Sequence, residues 1–193
     1  ILSGVALASH RAKREGLGTE IIYDFILMAL PITILCARGY YVIFEWKNYI
    51  GNPAKIFAIR EGGLAIYGGV LGSLLTAVLF CRKRHFPLLR FLDLIIPSLV
   101  LGQAVGRWGN FMNQEAFGNI VTDPQKQFFP YAVFIEKSGE WHQATFFYES
   151  IWNLCLLALM LVINRKYENQ GILLCLYLVG YGTGRFLIEG LRT

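Results

Sequence analysis

Charged residues are scarce in this chain of 193 residues. They make up 16% of it and hydrophobic residues 55%, whereas soluble domains average about 25% charged and roughly 45–50% apolar residues. This composition excludes an ordinary soluble domain. Metal-site motifs are missing as well, because the four cysteines and three histidines stand singly, with no CxxC or paired histidine spacing. The sequence therefore predicts a membrane protein without a metal site, whose cysteines pack as small apolar side chains.

Long apolar runs fill most of the chain. A bilayer core of about 30 Å needs ~20 apolar residues per helix, and such runs lie at 21–45, 63–81, 91–107, 145–163 and 171–190. Residues 1–9 look like the end of another span, without the basic region and cleavage site of a signal peptide. We predict an all-α polytopic transmembrane helix bundle of about five full spans and a partial one. Because the chain opens at Ile1 within an apolar run, we expect a fragment of a longer protein.

Basic residues in the short loops predict the topology. The three short loops carry nine lysines and arginines: Arg11, Lys13, Arg14, Arg82, Lys83, Arg84, Arg90, Arg165 and Lys166. Such loops stay in the cytoplasm, so 107–144 is predicted to be an extracytoplasmic insertion in a single domain spanning 1–193. Turn signals and alternation within 134–142 favour a hairpin there, and 46–60 resembles an interfacial arm. The net charge of +5 then fits anionic lipid headgroups, and no nucleic acid is needed to explain it.

The most distinctive motif is the polar run Gly106-Arg107-Trp108-Gly109-Asn110-Phe111-Met112-Asn113-Gln114-Glu115. It follows an apolar segment whose only charge is Asp93. An arginine at the edge of a membrane is a functional hypothesis by default. We expect the site around Arg107 to bind an anion.

Four further charges lie deep in predicted spans: Arg38, Glu149, Arg185 and Glu189. A charge at the centre of a membrane helix costs ~2.5–3.5 kcal/mol, so each needs a partner or a function. Arg185 and Glu189 share one helix face with Tyr181, and two interpretations stay open. They form a structural i,i+4 ion pair, or Glu189 orients Arg185 toward a lipid phosphate. Asp24, Glu45 and Asp93 lie near span ends, where solvation or a structural role explains them equally well.

Three glycine pairs at i,i+4 spacing predict close helix contacts: Gly68/Gly72, Gly102/Gly106 and Gly180/Gly184. Each pair is next to a polar residue, namely Tyr67, Arg107 or Arg185. We expect close packing there to form a tight cavity.

By these motifs the chain resembles the prolipoprotein diacylglyceryl transferase family of bacterial membrane enzymes. The family signature Gly-Arg-x-Gly-Asn-Phe-x-Asn-x-Glu matches 106–115 and continues through Gly118. Four other segments support the resemblance: Ala37-Arg38 with Tyr41, the run from Glu61 to Gly69, Tyr148-Glu149-Ser150, and Tyr181 to Phe186 with Glu189, Arg192 and Thr193.

The resemblance implies seven spans and an active site on the outer face of the bacterial plasma membrane. It implies transfer of the diacylglyceryl group of phosphatidylglycerol to the lipobox cysteine thiol in a prolipoprotein signal peptide. Glycerol phosphate leaves, and neither a metal nor an organic cofactor takes part. Membrane lipids are the remaining partners. The implied catalytic residues are Arg107, Arg185, Glu115, Tyr67 and Glu189, and the implied substrate-binding residues are Arg107, Asn110, Asn113, Gly118, Tyr148, Glu149, Tyr181 and Arg38.

The implied chemistry fits these residue types. Arginine stabilises a phosphate leaving group in a bidentate way, so we expect Arg107 and Arg185 to lie within reach of one phosphate. The thiol must react as a thiolate. Glu115, Glu149 and Glu189 are the candidate proton acceptors. Tyr67 departs from the family, since many members have a histidine there, and tyrosine is a poor base at neutral pH. The base therefore lies elsewhere, or that histidine is not required. Gln143 also departs, because a proline more often follows the histidine equivalent to His142.

Two other classes of protein share parts of this pattern. A transporter or channel for an anionic or lipid substrate would also place Arg and Glu within spans, but it would favour paired repeats and broken helices, which the sequence does not show. A non-catalytic membrane scaffold would not need the polar run at 107–115. The pattern favours an enzyme.

Overall fold

The structure is a computed structural model that describes residues 2–51, 53–58, 62–167 and 169–191. This part of the chain forms six α-helices: α1 (Leu2–Arg14), α2 (Glu20–Phe44), α3 (Ile66–Arg84), α4 (Leu88–Met112), α5 (Thr145–Lys166) and α6 (Ile172–Glu189). The last five are long and apolar enough to cross a membrane. The predicted all-α polytopic architecture is confirmed.

Two helices extend further than the sequence predicted. The fourth span was expected to end at 107, but α4 continues to Met112. The partial first span was expected to stop before the basic residues, but α1 includes them and ends at Arg14. Hydropathy marks where apolar residues end, whereas a helix ends where its backbone hydrogen bonds end. Neither extension, 10–14 or 108–112, contains a proline that would stop the helix. Arg107 and Asn110 therefore lie on a helix and not in a loop.

The chain divides into two compact units. Residues 9–91 form the N-terminal unit, and residues 1–8 with 92–193 form the C-terminal unit. In the N-terminal unit, α2 and α3 pack closely at the first glycine pair. A Cβ on Gly68 would lie 2.5 Å from the carbonyl oxygen of Cys36, and one on Gly72 would lie 2.7 Å from the Cys36 Cβ. The predicted helix contact at this pair is confirmed.

In the C-terminal unit, α4, α5 and α6 share an apolar core that includes Val100, Met160 and Leu173. The glycine pair of α6 packs on α5, since a Cβ on Gly180 would lie 2.5 Å from a Leu156 methyl carbon and one on Gly184 would collide with the Trp152 ring.

The pair Gly102/Gly106 behaves differently from the other two. A Cβ on either glycine would meet no atom of the described residues within 4 Å. The predicted close contact is therefore wrong for the part of the chain that the structure covers. The i,i+4 spacing allows two helices to approach but does not supply the second helix.

The region between α4 and α5 contains the predicted hairpin. Strands β1 (Ala132–Ile135) and β2 (Glu140–Gln143) pair antiparallel, with Val133 opposite His142. His142 is buried, its Nδ1 donates a hydrogen bond to the Gly118 carbonyl at 2.9 Å, and its Nε2 lies 3.2 Å from the Ser138 hydroxyl. The hairpin is thus tied to the chain that leaves α4.

The three acidic residues near span ends have structural partners. Asp24 pairs with Arg84. Glu45 accepts a hydrogen bond from the Asn48 side chain at 2.8 Å. Asp93 accepts from the backbone N–H groups of Gly171 (2.5 Å) and Leu174 (2.9 Å), and so caps the start of α6.

Candidate active site

One buried carboxylate binds two arginines from different helices. The Oε2 atom of Glu149 on α5 lies 2.6 Å from the Nη2 atom of Arg107 on α4. Its carboxylate also accepts from Arg185 Nη1 on α6, at 3.2 Å and 3.3 Å. The Glu149 side chain is only 6% exposed, against 19% for Arg107 and 30% for Arg185. The structure therefore brings together the two arginines that the sequence predicted to share one anion.

Neighbouring residues explain how Arg107 reaches Glu149. The buried Ser150 hydroxyl donates to the Ala104 carbonyl at 2.9 Å and accepts from the Trp108 indole N–H at 3.1 Å. These bonds join α4 to α5 through residues directly adjacent to the ion pair. Because these bonds hold the two helices together here, the Arg107 guanidinium lies within reach of the Glu149 carboxylate. Sequence reasoning missed this contact, because the spacing of Trp108 and Ser150 along the chain does not indicate that their side chains meet.

The third helix of the site is positioned by Trp152 on α5. Its indole N–H donates to the Gly180 carbonyl at 2.9 Å, and its ring packs against Gly184. Arg185 follows directly and also pairs with Glu189 one turn later. The predicted i,i+4 pair is thus formed. Two arginines and two glutamates make a cluster with no formal net charge, which we call the arginine cluster: Arg107, Glu149, Arg185 and Glu189.

Other residues of the polar motif line a separate open groove. Asn110 lies on α4 three residues after Arg107, but Asn113 and Glu115 lie beyond the end of the helix, in exposed positions. The Asn113 side chain donates to Glu115 at 3.3 Å, and its carbonyl accepts from the Lys137 ammonium at 2.7 Å. Glu115 is paired there with an amide and not with an arginine of the cluster.

Gly118 and Tyr148 hold the hairpin region in place. Gly118 is buried, donates its N–H to the Gln143 carbonyl at 3.0 Å, and leaves no room for a side chain, because a Cβ would lie 2.7 Å from the Leu191 carbonyl oxygen. The Tyr148 hydroxyl donates to the Tyr131 carbonyl at 2.5 Å. These contacts give both residues a structural role, and a role in substrate binding stays a prediction.

Arg38 and Tyr67 belong to the N-terminal unit. The Arg38 side chain is buried and donates to the carbonyls of Lys55, Ile56, Gly62 and Gly63, at 2.6 to 3.0 Å. Its guanidinium therefore organises the predicted interfacial arm, which forms short 3-10 turns at Trp46–Asn48 and Pro53–Phe57. Tyr67 is 74% exposed at the start of α3. Glu61, Arg192 and Thr193, which also carried the resemblance, lie outside the described residues.

No group of three His, Cys, Asp or Glu side chains in the described ranges could hold a metal ion. The chemistry available at the arginine cluster is that of two fixed guanidinium groups and two carboxylates. Guanidinium groups donate strong hydrogen bonds to anionic oxygen atoms, and those of Arg107 and Arg185 both donate to the Glu149 carboxylate.

The fold and the cluster together define a multi-pass membrane protein in which a buried glutamate pairs with arginines from two neighbouring helices. A family model described as prolipoprotein diacylglyceryl transferase matches residues 1–193. Three relatives from Bacillus cereus (strain 03BB102), Bacillus thuringiensis subsp. konkukian and Bacillus mycoides are each 44% identical over 197 residues. Each alignment covers 100% of this chain and 73% of the relative, and each relative is named phosphatidylglycerol–prolipoprotein diacylglyceryl transferase. The chain belongs to the prolipoprotein diacylglyceryl transferase family.

Proposed function

We propose that this chain transfers the diacylglyceryl group of phosphatidylglycerol to the lipobox cysteine thiol of a prolipoprotein, and that Arg107 and Arg185 bind the phosphate that leaves. Family membership supports the reaction and argues against a transporter. The convergence of two guanidinium groups on Glu149 is the observation that carries the site assignment. Both guanidinium groups contact the oxygen atoms of one carboxylate, which supports the proposal that they bind the oxygen atoms of one phosphate.

The reaction breaks one bond and forms another at the same glyceryl carbon. The thiolate sulfur attacks the carbon of the diacylglyceryl group that bears the phosphate ester. A C–S thioether bond forms there, and the C–O bond between this carbon and the phosphate breaks. The electron pair of that bond leaves on the phosphate of glycerol phosphate. Guanidinium groups held near this oxygen stabilise the charge where it develops, at no cost of reorganisation.

The thiol proton must go to a base, and three carboxylates remain candidates. Glu149 and Glu189 already pair with arginines of the cluster, whereas Glu115 pairs with an amide in the open groove. A guanidinium group next to the thiol would also favour the thiolate, since a nearby cation stabilises the ionised sulfur. Tyr67 donates a hydrogen bond to a phosphate or glycerol oxygen in this account, in place of the histidine of many relatives.

The setting of the reaction is the bacterial plasma membrane, with the site toward its outer face. The nine basic residues of the three short loops support this orientation. Phosphatidylglycerol would then reach the site from the surrounding lipid, and the prolipoprotein would present its signal peptide from the same side. Membrane lipids are the only other partners that the proposal needs.

A reconstituted transfer assay tests the proposal. Protein in vesicles containing phosphatidylglycerol is mixed with a lipobox peptide, and mass spectrometry should detect a peptide whose mass has grown by one diacylglyceryl group. A peptide with serine in place of the cysteine should remain unmodified, as should the lipobox peptide in vesicles of phosphatidylcholine alone. Absence of the thioether product from protein that is folded and inserted would refute the proposed reaction.

A further inference from the structure

A small cavity lies directly beside the arginine cluster. Its walls include Glu149, Asn153, Tyr181 and Arg185, all in the C-terminal unit. The cavity has a volume of about 10 Å³, which is about the least that one water molecule or one hydroxyl group requires. The cavity therefore admits a single small polar group next to the guanidinium of Arg185.

One wall of this cavity carries a buried acceptor without a donor. Asn153 lies one helical turn after Glu149 on α5 and is only 2% exposed. Its Oδ1 atom is enclosed and accepts no hydrogen bond from the described residues. Nearly all buried polar groups in folded proteins have a partner, and an exception calls for an explanation such as a bound water or a ligand. The amide oxygen is therefore available to a donor that lies outside the described residues.

We propose that Asn153 recognises the headgroup of the lipid by accepting a hydrogen bond from a hydroxyl of the headgroup glycerol. This proposal rests on the proposed function, because it places the phosphate of the lipid at Arg107 and Arg185. In phosphatidylglycerol the headgroup hydroxyls are attached two and three carbons along from the phosphate ester oxygen. A phosphate held by Arg185 thus brings a hydroxyl, of the size the cavity admits, next to the Asn153 amide.

Two features favour a hydroxyl over other occupants. The cavity borders both the Glu149 carboxylate and the Arg185 guanidinium, whose charges offset each other, so its lining favours a neutral polar group over an ion of either sign. A site built to hydrogen-bond a substrate hydroxyl also rejects an analogue without it, because the buried acceptor is then left unpaired. A resident water would satisfy Asn153 equally for every lipid and would give no such discrimination.

A competition between two lipids tests the proposal. Vesicles contain equal amounts of phosphatidylglycerol and phosphatidylpropanol, whose headgroup has the same charge and no free hydroxyl, and the two lipids carry acyl chains of different length. Both donate a diacylglyceryl group, so mass spectrometry of the lipidated peptide reports the ratio of the two reactions within one sample. The wild-type chain should favour phosphatidylglycerol by at least about tenfold, as expected for one lost hydrogen bond to a buried partner.

Substitution of Asn153 should remove this preference. In Asn153→Leu the product ratio should approach one, because transfer from phosphatidylglycerol falls while transfer from phosphatidylpropanol is kept. Asn153→Ala is the second variant, for use if the leucine side chain prevents insertion. Gln103→Leu is the matched control, since Gln103 is another amide with an enclosed and unpartnered Oε1 atom, but it does not line the cavity. This control should keep the wild-type ratio.

The outcomes separate the two proposals. No transfer from either lipid by the wild-type chain would count against the proposed function itself. Equal use of both lipids by the wild-type chain, or an unchanged preference in both Asn153 variants, would overturn the role of Asn153 and leave the transferase reaction standing. An equal loss with both lipids would also overturn it, since that result is expected of a residue that only holds a structural water.

Discussion

Replacing Glu149 by glutamine should destabilise the protein more than the same change at any other carboxylate of the site. The change keeps the shape of the side chain and removes the charge that binds Arg107 and Arg185. Exposed ion pairs contribute about 0.2–1 kcal/mol, whereas removing one partner of a fully buried pair costs about 3–5 kcal/mol. The Glu149 side chain is 6% exposed, but both arginines keep some contact with solvent, and Arg185 retains Glu189. We therefore expect a loss of about 2 kcal/mol.

This loss can be measured as a shift in Tm. For a chain of 150–250 residues each kcal/mol lowers Tm by about 2–4 °C, so Glu149→Gln should unfold about 4–8 °C earlier in detergent or nanodiscs. Glu189→Gln is the matched control, because that side chain is 53% exposed and pairs with Arg185 at the surface of the cluster. Its shift should correspond to less than ~1 kcal/mol. Equal shifts for the two variants would refute the central position of Glu149 between the two arginines.

Three further predictions follow from individual positions. Gly184→Ala should destabilise by about 1–3 kcal/mol, since its Cβ has no space, whereas Gly102→Ala should be neutral or stabilising because nothing described lies within 4 Å; thermal unfolding compares the two. Tyr67→Phe should slow transfer by the equivalent of ~1.5–3 kcal/mol while Tyr67→His stays active, and an inactive histidine variant would contradict the role given to this position. In a background without the native cysteines, Ser138→Cys should react with an impermeant thiol reagent on intact cells and Lys83→Cys should not; the reverse pattern would invert the topology.

The sequence predicted the helices well because apolar runs of membrane length have few alternatives. The sequence also led to the prediction that Arg107 and Arg185 lie within reach of one phosphate, because a dianionic leaving group is stabilised where its charge develops. It did not identify Glu149 as the carboxylate that both arginines contact, because nothing in the spacing of α4, α5 and α6 states which side chains meet. That contact depends on Ser150, Trp108 and the close approach of α6.

Other residues show what single-sequence reasoning leaves open. The bonds from the Arg38 guanidinium to backbone carbonyls of the neighbouring segment were not predicted, and its role in substrate binding stays a prediction. A buried arginine has the same sequence signal whether it binds a ligand or a loop. Asn153 was missed for the opposite reason: one amide in an apolar helix is unremarkable until its environment is known. Only the enclosure of its oxygen beside the cluster distinguishes it.

The most direct test of the central claim is the transfer rate of Arg107 variants with phosphatidylglycerol and a lipobox peptide. Arg107→Ala should abolish transfer while the protein remains inserted and folded, because one of the two guanidinium groups that stabilise the leaving phosphate is gone. Arg107→Lys should restore only part of the rate, since it keeps the charge and loses the planar fork. Near-normal transfer by Arg107→Ala would contradict the account and would remove the arginine cluster from the reaction.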